Sequence, residues 1–240
     1  MTASATTGVG RRRSKARAYL LLSRVSNLPT VWTNVLAAYV CAVAALDSMP
    51  VALFSLTLFY AAGMFLNDVC DVPFDRAARS DRPIPRGEVG RLEALAVVVM
   101  LFVFAEGLLV LQPHGRVAII WGGALIAAIC GYDLSHKGKW YGPVVMGLCR
   151  ALVYGVAASG AAGFVATPVF IAAAVMWLYV IALTWVAKAA NLGYAVPWML
   201  AGICIVDALI ILWMGQPRLA VVAAIGFPLT LAFQRIVPGT

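Results

Sequence analysis

The sequence predicts an all-α, polytopic transmembrane helical bundle, and three observations predict it. Hydrophobic residues make up 63% of the chain and charged residues only 12%, against roughly 45–50% and 25% in soluble domains. Apolar runs near the ~20 residues that a helix needs to cross a bilayer recur between residues 28 and 235. Lys and Arg fall very unequally on alternate connecting segments, as expected of a multi-pass protein. One or two soluble domains, which 240 residues allow by length, are excluded.

Residues 1–24 read as a basic arm ahead of the first span. In "GRRRSKARAYLLLSR" the apolar run is too short for a signal peptide, and Arg24 interrupts it. The arm is therefore expected in the cytosol, against anionic headgroups. Residues 25–240 read as one transmembrane domain of eight spans. The first, about 28–46, opens with Pro29, which suits an early helical position, and Arg24, Asn27, Thr30 and Asn34 stand about its start at near-helical spacing. The second covers 51–69 and follows the turn "DSMP". The third, 92–111, contains Glu106, and "QPHGR" separates it from the short fourth, 117–133. After "HKGKWYGP" the fifth, 143–163, includes "YGVAASGAAG", the small-residue composition that close helix packing in lipid requires. "ATP" leads to the sixth, 167–187; the seventh, 195–214, contains Asp207; and "GQPRL" leads to the eighth, 219–235. The intramembrane acids Glu106 and Asp207 are expected to face the bundle interior, in structural or acceptor-lining roles, and Arg150 is expected to point inward to an acid or a phosphate. Trp140, Tyr141, Trp177, Trp185 and Trp198 fall mostly near span ends, as interfacial belts do.

With the N-terminus inside, 16 of the 18 Lys and Arg residues lie on the cytosolic side; only Arg116 and Arg218 fall outside. Both termini are then cytosolic, and the net charge of +8 reports membrane orientation rather than nucleic-acid binding. The five cysteines show no metal or disulfide spacing and read as small hydrophobes. The longer polar loops, 70–91 and 134–142, share the cytosolic face, so the protein is expected to handle a cytosolic or leaflet-bound substrate.

The chemistry concentrates in "MFLNDVCDVPFDRAARSDRPIPRG", residues 64–87. Asp68, Asp71 and Asp75 stand at i, i+3 and i+7, on one face of a helix. Like charges so placed call for a cation, and hard oxygen ligands suit Mg²⁺, which takes a few carboxylates together with substrate phosphate and water. Asn67 adds a polar head. Arg79, Arg82 and Arg86 follow, with Lys137 and Lys139 in the next loop on that side. Guanidinium groups pair bidentately with phosphate oxygens and lysines act as point charges. Carboxylates for Mg²⁺ followed by cations for phosphate describe a diphosphate site.

"NDVCDVPFDRAARSDRPIPRG" resembles the NDxxDxxxD signature, with its trailing arginine-proline-glycine pattern, of the UbiA superfamily of intramembrane prenyltransferases. Asn67, Asp68, Asp71, Asp75, Arg79, Arg82, Pro83 and Gly87 occupy its fixed positions. The resemblance implies a bundle of mostly nine helices around a central cavity, against the eight spans read here. It implies Mg²⁺ on Asp68, Asp71 and Asp75, and a prenyl diphosphate held by Asn67, Arg79 and Arg82. Asn27 at the start of span one and Lys137 are the further candidates, Lys137 beside the three aspartates in the catalytic set. The reaction implied is metal-assisted departure of diphosphate and capture of the allylic cation by a lipophilic or aromatic acceptor in a dry cavity.

Members usually carry a second aspartate cluster after span six. The equivalent "IALTWVAKAANLGYA" contains no acid, and Lys188 and Asn191 stand in its place, Lys188 as a candidate for neutralising phosphate. Tyr132, Asp133, His136 and Lys137 are candidates for the same polar mouth, His136 as a proton acceptor or, with Lys137, as an interfacial anchor. "HK…PVVMGLCRALVY" with "LTWVAK" resembles the EboC-type branch, associated with a small bacterial gene cluster, which places the chain in a bacterial cytoplasmic membrane. The competing expectation is a non-catalytic lipid or metabolite carrier, or an export-associated protein, that retains the diphosphate site.

Overall fold

The computed structural model describes residues 14–135, 140–188 and 193–237. Among the described residues all the regular structure is helical. A short α1 (Lys15–Leu22) and a 3-10 turn (Val25–Asn27) precede α2 (Leu28–Cys41), α3 (Met49–Ala78), α4 (Arg91–Leu109), α5 (Gly115–Ser135), α6 (Gly142–Ala162), α7 (Thr167–Lys188), α8 (Val196–Trp213) and α9 (Pro217–Ile236). The eight helices α2–α9 follow the eight spans in order. Seven helices are long and apolar enough to cross a membrane among the described residues, α2 being the one of the eight that is too short.

Two boundaries differ from the sequence reading. Span one ends at Cys41, and its 14 residues extend about 21 Å at 1.5 Å per residue, short of the ~30 Å hydrocarbon core. The chain instead turns at Val43, whose φ is 52°, and re-enters through α3. Span two runs to Ala78, 30 residues in all and through Pro73. A proline inside a helix removes one backbone hydrogen bond; here the helix continues through it and carries the entire acidic motif on regular structure.

α2 is the hub. From Thr30 to Cys41 it is buried on nearly every side and packs against α3, α6, α7, α8 and α9. A helix buried all round must satisfy its own polar side chains inside the protein, and Thr33 and Asn34 do so on α8, as described below. On α6 the small residues act as read: a Cβ on Gly155 would stand 2.4 Å from the Trp121 ring and one on Gly147 2.5 Å from Trp177. Only glycine admits these indoles. At one end of the bundle Tyr39 donates to Gln112 Oε1 (3.0 Å), Gln112 Nε2 donates to the Ser48 carbonyl (3.1 Å) and the His114 N–H donates to the Gly160 carbonyl (3.0 Å). These bonds join the C-terminal ends of α2 and α6 to the start of α3 and the α4–α5 turn. The opposite end is where the sequence motifs gather. There α1 docks through Tyr19, whose ring meets that of Phe65 at a tilt, centroids 5.6 Å apart, and whose hydroxyl donates to Glu93 Oε1 at 2.7 Å. That bond to a carboxylate raises the pKa of the Tyr19 phenol.

Candidate active site

A cavity of about 380 Å³ opens among α2, α3, α5, α6, α7 and α8, within the range of small-molecule sites. Its wall changes character along its length. The body is apolar, with Val31, Leu56, Phe59, Ile129, Val153 and Val180 among its lining. Arg24, Asn27, Asn67, Asp71, Arg79 and Arg82 line it as well, and they belong to the motif-bearing end.

One chain of polar contacts rings that mouth. Asp133, near the end of α5, accepts from Asn67 Nδ2 at 3.0 Å. The other atom of the same amide, Oδ1, accepts from Arg24 Nη2 at 3.3 Å. Arg24 Nη2 also reaches Asp68 Oδ1 at 3.1 Å, and Arg82 Nη1 meets that oxygen at 2.7 Å. Arg82 Nη1 then lies 3.3 Å from Asp75 Oδ2. Four separate stretches of sequence thus converge: the α1–α2 junction, α3, the α3–α4 loop and α5. Each arrives for a local reason. Arg24 takes a left-handed backbone (φ 45°, ψ 47°) between α1 and the 3-10 turn, a conformation unfavourable for residues with a Cβ and often found at functional positions. Arg82 returns toward α3 because the loop after Ala78 coils on itself, Arg82 N–H to the Arg79 carbonyl (3.1 Å) and Glu88 N–H to the Pro83 carbonyl (2.9 Å). Gly87 in that coil has φ 69°, which glycine accepts freely.

Asp68 and Asp75 are 5% and 1% exposed, so their charges need partners. The guanidinium of Arg82 supplies a cation shared by both, and Asp75 Oδ1 remains buried with no hydrogen-bond partner among the described residues. A donor set of hard carboxylate oxygens already gathered about one positive group fits a divalent cation such as Mg²⁺. No three of His, Cys, Asp and Glu converge closely enough, among the described residues, to hold an ion without help.

Of the residues singled out in the sequence, Asn27, Asn67, Asp71, Arg79 and Arg82 line the cavity, and Asp68 and Asp75 sit behind Arg82. Asn27 is buried and accepts from Gln234 Nε2 of α9 at 2.9 Å. Lys188, the last residue of α7, is exposed; its neighbour Ala187 lines the cavity and Lys188 does not. Lys137, with His136, Lys139 and Asn191, lies outside the described residues. Asp133 lies in the mouth, where the sequence reading had it as a candidate beside Tyr132, and Arg24 joins it from the polar start of span one. For Asp133 the available signal was an acid at the end of a span, on the motif's side of the membrane.

Deeper in the cavity wall, Arg150 points inward as expected, but to neutral partners: Nη1 donates to Asn34 Oδ1 and Nη2 to Thr30 Oγ1, both at 2.8 Å. Its guanidinium stands 5.9 Å from the centre of the Tyr60 ring. Behind it, Asp207 is fully buried and accepts from Thr33 Oγ1 (2.6 Å), Asn34 Nδ2 (2.8 Å) and the Tyr154 hydroxyl, which makes it a structural acid. Glu106 is not in the cavity lining; it packs against Gly122, where a Cβ would come within 2.6 Å of its carboxylate.

Residues 26–195 match the UbiA prenyltransferase family. A digeranylgeranylglyceryl phosphate synthase of Sulfolobus acidocaldarius is 32% identical over 153 residues, 60% of this chain and 54% of that protein. A 4-hydroxybenzoate octaprenyltransferase of Pseudomonas putida is 36% identical over 94 residues, 38% of this chain and 31% of that protein. The matches therefore span about half or less of the length of these curated relatives. Among solved structures, one of a digeranylgeranylglyceryl phosphate synthase superposes with a TM-score of 0.62 at 17% identity, over 93% of this chain and 88% of the other. A UbiA homologue from Archaeoglobus fulgidus, bound to DMAPP and Mg²⁺, superposes with a TM-score of 0.60 at 14% identity, over 91% and 98%. At those identities the likeness is one of fold.

Proposed function

Because this chain belongs to the UbiA prenyltransferase family, we propose that it is a Mg²⁺-dependent intramembrane prenyltransferase, moving a prenyl group from a prenyl diphosphate to a lipophilic or aromatic acceptor. The observation that carries the proposal is the junction of an apolar cavity with a mouth in which Asp68 and Asp75 share one cation. The apolar body suits an isoprenoid chain. The solved Archaeoglobus homologue binds DMAPP and Mg²⁺, and the Pseudomonas relative is an octaprenyltransferase, which supports the same chemistry here.

On this reading Asp68, Asp71 and Asp75 hold Mg²⁺, which when bound neutralises charge on the departing diphosphate. Arg24, Arg79, Arg82, Asn27 and Asn67 bind and orient the phosphate oxygens. Arg82 now neutralises two carboxylates, and it is the side chain able to pass between carboxylate and phosphate oxygens. The allylic C–O bond breaks with its electron pair leaving on the diphosphate. The acceptor nucleophile forms the new bond to carbon and then loses its proton. The cavity body excludes water that would otherwise trap the cation, and the faces of Tyr60 and Phe59 can shield it. Lys137 and Lys188 remain candidates for the phosphate end.

The same reading puts both termini in the cytosol of a bacterium, on the strength of the Lys and Arg distribution and the EboC-type phrases. A cysteine introduced by Ser80→Cys is then labelled from the cytosolic side; labelling only from outside overturns the orientation. The function is tested by incubating purified protein with Mg²⁺, labelled prenyl diphosphates and membrane extract. Mg²⁺-dependent diphosphate release that disappears in Asp71→Ala and Asp75→Ala is expected. Tight binding without release at every chain length assigns a carrier instead, the outcome that the acid-free "LTWVAKAAN" segment would favour.

A further inference from the structure

Arg150 has no role in the site as described, and its setting calls for one. It lines the cavity in the company of apolar side chains, and a cation in such a wall is costly unless it binds something. An isoprenoid chain needs no cation to line its path. The diphosphate has Arg24, Arg79 and Arg82 at the mouth. Arg150 bonds to none of the mouth aspartates: its guanidinium lies 5.9 Å from the ring of Tyr60, whose hydroxyl donates to the Arg24 carbonyl at 3.5 Å, and Tyr60 precedes Asp68 on α3 by eight residues, about 12 Å of helix.

The guanidinium is also held in place. Asn34 and Thr30 take one N–H each from Nη1 and Nη2, out of the five that an arginine carries. Asn34 is fixed in turn, since its Nδ2 donates to the buried Asp207, which Thr33 and Tyr154 also hold. The one amide of Asn34 therefore links Arg150 to Asp207 without a direct ion pair, and among the described residues no carboxylate lies within ion-pair distance of Arg150. A guanidinium fixed from behind with unused donors on a cavity surface is a preorganised anion receptor.

We propose that Arg150, positioned by Thr30 and Asn34, binds an anionic group on the acceptor, a carboxylate or a phosphate, and so selects acceptors that carry one. The proposal rests on the prenyltransferase reading, and its test is separable from that reading. Equilibrium binding to the purified protein is measured with dodecyl phosphate, 4-octylbenzoate and neutral dodecanol as probes, and in parallel with a prenyl diphosphate and Mg²⁺. The wild-type protein is expected to prefer the anionic probes over dodecanol by roughly tenfold or more. A preference for dodecyl phosphate points to a lipid headgroup, and one for 4-octylbenzoate to an aromatic acid. Arg150→Gln should abolish the preference, leave dodecanol binding unchanged and keep prenyl diphosphate affinity within about threefold. Arg150→Lys should restore part of it, as a point charge without the fork. Equal binding of anionic and neutral probes by the wild-type protein overturns the proposal without any variant. So does an Arg150→Gln protein that keeps the preference. If the prenyl diphosphate fails to bind as well, it is the prenyltransferase reading that falls.

Discussion

Arg82 is the side chain on which the resting mouth depends most, and replacing it by Gln is the most informative perturbation. Its Nη1 lies 2.7 Å from Asp68 Oδ1 and 3.3 Å from Asp75 Oδ2. At an effective dielectric of about 20 each contact is worth on the order of 5 kcal/mol in Coulomb terms, before desolvation is subtracted. Removing one partner of a buried ion pair typically costs about 3–5 kcal/mol, because the other charge stays buried and uncompensated. Asp75 is the more exposed to that loss, since Arg82 is its one ion-pair partner among the described residues, whereas Asp68 keeps Arg24. Arg82→Gln should therefore lower the metal-free Tm by on the order of 10 °C, taking about 2–4 °C per kcal/mol for a chain of this size. Mg²⁺ should return part of the difference, because the released carboxylates become a better cation site, and a ligand that binds only the folded state stabilises it by mass action. Thermal unfolding in detergent, with and without Mg²⁺, measures both. A variant within about 2 °C of wild type without metal, or one that Mg²⁺ stabilises no more than wild type, refutes the reasoning.

Three further outcomes follow from the packing. Asp207→Ala removes the acceptor of Thr33, Asn34 and Tyr154 and should cost about 3 kcal/mol or more, read as lost Tm. Gly155→Val must displace the Trp121 ring, which a Cβ alone would meet at 2.4 Å; a loss of about 1–3 kcal/mol is expected in the same assay. Lys15→Ala breaks only the exposed pair with Glu93 and should leave Tm unchanged within about 2 °C, since solvent screens such a pair.

The order of helices was legible in the sequence because hydropathy and turn residues act locally. The aspartate face was legible for the same reason, since Asp68, Asp71 and Asp75 need only one helix to align them. What joins that face to the rest of the mouth was not. Asn67 and Asp133 are 66 residues apart and Arg24 and Asp68 are 44 apart; deeper in the bundle, Thr33 and Asp207 are 174 apart. No periodicity encodes such pairings. The end of α2 at Cys41 was also hidden, because "CAVAAL" continues the apolar run while the backbone turns. The extension of α3 past residue 69 was obscured by Pro73 and by charges that read as loop. They are the polar continuation of the same helix beyond its apolar part.

The central claim is that the Asp68–Asp71–Asp75 face and the arginine loop together bind Mg²⁺ and a prenyl diphosphate. Equilibrium binding of an uncleavable prenyl thiodiphosphate, titrated with and without Mg²⁺, tests it most directly. Binding is predicted to require Mg²⁺ and to weaken roughly tenfold or more in Asp71→Asn and in Arg82→Gln. Binding that ignores Mg²⁺ and survives both substitutions would contradict it.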